Sequence, residues 1–454
     1  MTRLLLVSGR YLLENPYREL RLKTLFEERG IEVVFALPSR QLNAYGYTED
    51  VRDDPVFQRA GAVWLETVQD YGRHLRHCDT VLFGSWKSYG PLAEMARAAG
   101  KPVVNSNTTS GLDHWPHGVD YACVKGPFSK RQMLYFQEKL PGPGNLSEDQ
   151  IIITGSIIHE HYHQEEGAQP VSLSREAFCK HYRLDPSHPI VALFPKGIGS
   201  FEKKIAAWFP DWPDAKRAAY NQWFLDKYTQ ICRAIREARC NLIIKMHPSA
   251  YAAYLTRTDQ EYAYWQQFPW ARTLAPEHTY ACYQCAACGV GISTHSSLDL
   301  GYFNKPFIYV DSDQIEPPPA VPFHINHLCS LPLGPSSHWD RGPLESVNPW
   351  FPSWLGYFSR VEDLPGLLNE QVQRPIAADD RQRFIDEFWH KADGQAGERI
   401  VDFVADYIES WGSSKRIYAA LKSTVKRLYT ALRYRFLKAL TRVFSTKSSR
   451  TPRT

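Results

Sequence analysis

The chain holds 454 residues, too many for one ordinary core, so two domains are expected. Hydrophobic residues make up 43%, charged residues 22% and aromatic residues 13%, which excludes a disordered chain. The net charge is +4, but residues 413–454 hold twelve Lys or Arg and no acid, leaving the preceding body at about −8; the balance is therefore no nucleic-acid footprint but an appended segment.

The opening MTRLLLVSGRY has an apolar run of four residues before Ser8, too short for a secretory signal. Nine scattered cysteines fit a reducing cytoplasm, and no stretch reaches the roughly 18 to 20 apolar residues that span a bilayer. Arg3–Gly9 predicts a strand, Pro16–Arg29 a helix and GIEVVFALP a second strand. DTVLFGSW, KPVVNS, VDYACVKG and QIIITGS predict further strands, with a helix at GPLAEMARAAG. Apolar strands alternating with helices are the mark of a parallel sheet, so residues 1–158 are expected to form one Rossmann-type domain.

Residues 159–187 read as a polar linker with one short helix, SREAFCKHY. The rhythm then restarts. PIVALFPKG, CNLIIKMHP, GVGIST and KPFIYVD predict strands, and Asn221–Arg239, YACYQCAAC and SSLDLGYF helices, within a second Rossmann-type domain over 188–375. Its last part, 313–375, is rich in Pro, Trp and Ser and is expected to be loop. Residues 376–411 predict closing helices, and 412–454 a basic tail.

In open parallel sheets ligands bind beyond the carboxyl ends of strands, so the residues that follow strands are the candidates. In LIIKMHPSAY, Lys245 and His247 pass the end of a strand; a cation and an imidazole there can hold phosphate through charge-assisted hydrogen bonds. A strand end meeting water would look the same. In GISTHSSLDL, Ser296 or Ser297 can cap a helix whose free N–H groups bind an anion, while Asp299 suits hydroxyls better than phosphate. The bland alternative is a capped helix with a dipole-matched Asp. In VALFPKGIGS, Gly197 and Gly199 allow close backbone approach, although no Gly-Lys-Ser/Thr ending follows.

Other clusters point elsewhere. CYQCAACGVGIS spaces Cys282, Cys285 and Cys288 like a cluster motif, but on a helix they splay by about 60° each, so they read as packing residues. Asp311 and Asp313 in DSD follow a strand as a metal-binding D-x-D would, but that strand reads as the last of its unit; the histidines of HEHYH (His159, His161, His163) lack a Cys or acidic pattern that fits zinc, and no metal is expected.

Taken in order, the Gly loop, KMHP, S-S-x-D and KP before a strand resemble the second domain of the CDP-glycerol glycerophosphotransferases and related surface-polysaccharide glycosyltransferases. IIITGS and DGQAGERIVDFV resemble that family's first-domain end and closing helix. The resemblance implies an α/β GT-B fold, two Rossmann-type domains facing a cleft, with 1–158 on the acceptor side and 188–375 binding a nucleotide donor. It implies that Lys245 and His247 contact the donor phosphates, Ser296 and Ser297 bind phosphate, and Asp299 meets ribose or glycerol. The family's Ser pair lies further ahead of its acid, which brings Thr294 and His295 into the phosphate set. Its first-domain Trp-His-Gly base motif has no counterpart, and His114 and His117 of DHWPHG stand nearest; a histidine can deprotonate an acceptor hydroxyl.

In the tail, Ile417, Leu421, Val425, Leu428, Leu432, Phe436, Leu440 and Val443 recur every three or four positions on one helical face, set among Lys and Arg. That pattern over 415–443 suits an anionic membrane interface, where each basic residue contributes about 1 kcal/mol. A helix docked on the body or on another subunit is the alternative. The expectation is a metal-independent transferase, without a cofactor, peripheral on the cytoplasmic membrane face. It moves a sugar or polyol phosphate from a nucleotide-linked donor to a lipid-linked or polymeric glycan. A nucleotide-sugar 2-epimerase and a non-catalytic scaffold are the rivals, and no nucleic-acid partner is expected.

Overall fold

The computed structural model describes residues 2–8, 15–42, 49–84, 90–108, 118–139, 145–160, 172–195, 197–198, 205–206, 209, 211–246, 248–255, 257, 260–292, 294, 296–311, 356–371 and 376–411. It divides into two compact units, one from residues up to Glu160 and from Asp393 onward, the other from the residues between. Each is built on a parallel sheet, so the chain is α/β and GT-B-like in composition.

The first unit has strands Arg3–Val7 (β1), Glu32–Pro38 (β2), Val63–Leu65 (β3), Thr80–Phe83 (β4), Val103–Thr108 (β5), Tyr121–Val124 (β6) and Ile151–Ile153 (β7), in the order β3-β2-β1-β4-β5-β6-β7. β1 lies between β2 and β4, with Leu5 opposite Val34 and Val81. Alternate residues face opposite sides of a strand. Leu4 and Leu6 accordingly join Phe26, Phe35, Ile400 and Val401, whereas Leu5 and Val7 join Tyr71, Leu75, Val81 and Phe83. A sheet covered on both faces needs strands apolar throughout, as LLLV is.

The expected closing segment is divided between the units. Helix Ala396–Ser410 packs on the first through Ile400, Val401, Val404 and Ile408, while helix Ala378–Phe384 and the wide turn Ile385–Trp389 belong to the second. The carboxylate of Glu160, 4% exposed, accepts the Gly397 N–H in the first turn of Ala396–Ser410, and the Arg399 Nε–H donates to the Thr154 carbonyl at 2.6 Å. A Cβ at position 397 would lie 2.9 Å from Leu25 and 3.1 Å from Glu160, so glycine permits this docking.

Burial pushes the Glu160 carboxyl up to about 7, against the pull of the Gly397 N–H. A folded-state value above the unfolded one gives stability that is complete below about pH 4.5 and lost as pH rises through about 7. Unfolding free energy is therefore expected to fall by on the order of 2–3 kcal/mol between pH 5 and 8 from this group. Urea titrations of Glu160→Gln should lack that part of the slope; an unchanged slope would contradict it.

The second unit has strands Ile190–Leu193 (β8), Asn241–Ile244 (β9), Arg272–Thr273 (β10), Cys288–Gly291 (β11), Phe307–Val310 (β12) and Gly356–Ser359 (β13), ordered β10-β9-β8-β11-β12-β13. Helix Asp214–Glu237 buries Tyr220, Phe224, Tyr228, Ile231 and Ile235, a stripe at helical spacing, in the same core as Val191, Leu242 and Val290. Helix Arg175–Tyr182, expected inside a linker, buries Phe178, Cys179 and Tyr182 in this unit.

The expectation of loop over 313–375 is corrected where the structure describes it: β13 and helix Leu364–Gln371 lie there. KPFIYVD is thus not the last strand, since β13 pairs beyond it, with Ile308 opposite Tyr357. Asp311, 1% exposed and left-handed at φ +47°, meets Lys227 at 2.8 Å and Arg360 at 3.3 Å. Its carboxylate ties the long helix to the end of β13. Among the described residues no helix is long and apolar enough to cross a membrane, and the tail 412–454 lies outside them.

Candidate functional site

Strand order in the second unit reverses between β8 and β11, and the loops after these strands flank the crevice where ligands of doubly wound sheets sit. Leu193 pairs with Ile244 on one side and Val290 on the other. Phe194 and Lys245 therefore leave the sheet at the level of Gly291, the last residue of β11. The Lys245 N–H donates to the Leu193 carbonyl at 2.9 Å, and the Phe194 N–H to that of Val290 at 3.1 Å. A Cβ at position 291 would stand 3.3 Å from the Phe194 carbonyl, so a small residue keeps the two exits close.

Lys245 is half-buried. Burial pushes the Cys282 thiol up to about 12, and the Lys245 charge opposes that rise. From helix Thr279–Cys285 the Tyr283 hydroxyl donates to Asp299 Oδ2 at 3.1 Å. No local pattern marks Tyr283, because its partner is sixteen residues on, across a strand.

Helix Ser296–Tyr302 begins otherwise than expected. Thr294 Oγ1 accepts the Ser296 N–H at 3.2 Å, so the cap comes from a threonine two residues earlier in a hydroxyl turn, not from Ser296 or Ser297. Ser297 is 2% exposed, and its hydroxyl donates to the Thr294 carbonyl at 3.1 Å and also meets Tyr309. It turns inward and holds the loop. Ser296 and Asp299 remain half-exposed at the helix start. The helix ends on Asn304 at φ +59°, with the Lys305 N–H reaching the Leu300 carbonyl at 2.9 Å.

After β8, Gly197 is buried, and the Ile198 N–H beside it donates to Glu261 Oε2 at 2.6 Å. Gly199, His247, His295, His114 and His117 lie outside the described residues, as do His161 and His163. Cys282 and Cys288 are buried packing residues, and the half-buried Cys285 thiol donates to the Leu173 carbonyl at 3.5 Å. Thiols held this far above the usual range are poor nucleophiles and ligands.

No family model matches the chain, and no curated protein matches it by sequence. Among solved structures it is similar to the wall teichoic acid polymerase TagF, with TM-score 0.49 and 11% identity over 90% of this chain and 89% of that one. It is also similar to the UDP-GlcNAc 2-epimerase of Methanocaldococcus jannaschii in complex with UDP-GlcNAc and UDP, with TM-score 0.48 and 12% identity over 89% and 99%. Anabaena HepE in complex with UDP gives TM-score 0.46 and 9% identity over 90% and 100%. Likenesses of this degree leave the chemistry to the chain's own residues.

Proposed function

We propose that the chain is a GT-B-type transferase that moves a sugar or polyol phosphate from a nucleotide-activated donor to a lipid-linked or polymeric surface glycan. The observation that carries it is that Gly197, Lys245 and the Thr294–Asp299 turn follow three neighbouring parallel strands at the point where strand order reverses. In this reading Lys245, with His247, neutralises the charge that develops on the leaving phosphate. Asp299, held by Tyr283, accepts hydrogen bonds from donor hydroxyls. Thr294, His295 and Ser296 border the phosphates. His117 or His114 takes the acceptor proton. The basic, amphipathic pattern of 415–443 supports work at an anionic membrane surface, where a lipid-linked acceptor would be found.

The test is transfer from labelled CDP-glycerol or UDP-sugars to a lipid-linked glycan acceptor in anionic vesicles. Label is expected to enter the lipid fraction, and to do so less as salt screens the tail. Epimerised sugar released without any acceptor, or no turnover at all, would overturn the transferase reading.

A further inference from the structure

We propose that Glu261 is a positioning residue for the nucleotide-binding loop after β8. This deepens the proposed function and rests on it. Glu261 opens the short helix Gln260–Gln266, 63 residues beyond the loop it reaches, and is 1% exposed. A carboxylate is almost never buried this fully without partners, because desolvating the charge costs several kcal/mol. Glu261 has at least two. Oε2 accepts the Ile198 N–H at 2.6 Å, and Oε1 accepts the indole N–H of Trp265 at 2.9 Å.

The two bonds have different consequences. Trp265 is 3% exposed in the main core of the unit, ringed by Tyr228, Tyr264 and Phe268, so the indole bond fixes the carboxylate to the rigid part of the fold. The Ile198 bond carries that rigidity to the backbone immediately after Gly197. Glycine makes this turn permissive, and a permissive loop pays ordering entropy whenever it binds a ligand. A charge-assisted bond to its backbone prepays that entropy. A carboxylate also leaves the phosphate contacts to N–H groups and to Lys245, since it would repel an anion if it faced one. The loop geometry, and hence donor affinity, is set from Glu261 without contact to the donor.

Calorimetry with CDP and UDP on the full chain, paired with hydrogen exchange at the Ile198 amide, tests this. Wild type is expected to bind one of the nucleotides and to protect Ile198. Glu261→Ala should weaken binding by 30-fold or more and lose the protection, while Glu261→Gln, which keeps an acceptor for Ile198, should lose about tenfold or less. Trp265→Phe removes the bond that ties the carboxylate to the core and should weaken binding by about three- to tenfold and lower Ile198 protection, whereas a purely structural role would lower the melting temperature alone. If Glu261→Ala misfolds, the Gln and Phe variants still decide the matter by affinity and Ile198 protection. Unchanged affinity in folded Glu261 variants, with wild type binding, overturns the role of Glu261. A wild type that binds neither nucleotide overturns the proposed function beneath it, even if Ile198 is protected.

Discussion

Lys245→Ala is expected to lower turnover by about two to three orders of magnitude, the usual cost of removing a preorganised group that stabilises developing charge. Lys245 leaves β9 on a hydrogen bond to Leu193, so its backbone is fixed by the sheet and only the ammonium is lost in the variant. No ion pair among the described residues includes Lys245, so none of these breaks with it. The fold should therefore survive, and the loss should appear in kcat as well as in donor affinity. Lys245→Arg tests geometry against charge, because a planar guanidinium presents its donors differently from an ammonium. Steady-state kinetics that leave Lys245→Ala within a fewfold of wild type would remove Lys245 from the chemistry.

The second large effect is on stability. Asp311→Ala is expected to cost on the order of 3 kcal/mol, because it strands the Lys227 ammonium, only 14% exposed, beside an emptied site. Arg360, 41% exposed on its side chain, regains water and contributes little to that cost. Asp311 also stands in the left-handed region, which alanine tolerates less well than aspartate or asparagine. Asp311→Asn keeps the backbone preference and removes the charge, so the difference between the two variants separates strain from electrostatics. Both are measured by urea denaturation, and β13, which the Arg360 contact helps to hold, should lose hydrogen-exchange protection first. A cost below 1 kcal/mol in both would contradict the buried ion-pair account.

Central strands were legible in the sequence, and so was the edge strand β7 with its three isoleucines, but the other edge strands were not. LLLV, VVFALP, VLF, IVAL, LII and FIYV are buried on both faces and read as unbroken apolar runs. β3, β10 and β13 escaped notice, and each lies at an edge of its sheet. β10 is two residues long and β3 three, while β13 lies in a Pro- and Trp-rich stretch whose composition reads as loop. Edge strands are kept short and half-covered to avoid pairing with other chains, which removes the very signal that periodicity needs.

The site was legible to a similar depth. The residues that follow strands were visible because a strand end is a local event, as at Lys245 and Thr294. What each does inside the turn was not. Ser297 has the residue type of a ligand and the burial of a core group, and only its bonds to Thr294 and Tyr309 decide between them. Glu261 and Tyr283 act on residues across strands or 63 positions away, a link no local pattern carries. The cysteine triplet, the most conspicuous spacing in the chain, belongs to packing: Cys282 is fully buried in its helix, and Cys288 lies inside β11.

We propose that the carboxyl edge around β8, β9 and β11 receives a nucleotide. Isothermal calorimetry of the full chain with CDP and UDP, at low salt, tests it most directly. Saturable one-to-one binding of at least one of them is expected, weakened at least tenfold by Lys245→Ala in a protein that melts as wild type does. No detectable heat from either nucleotide with wild type, or equal affinity in Lys245→Ala, would contradict it.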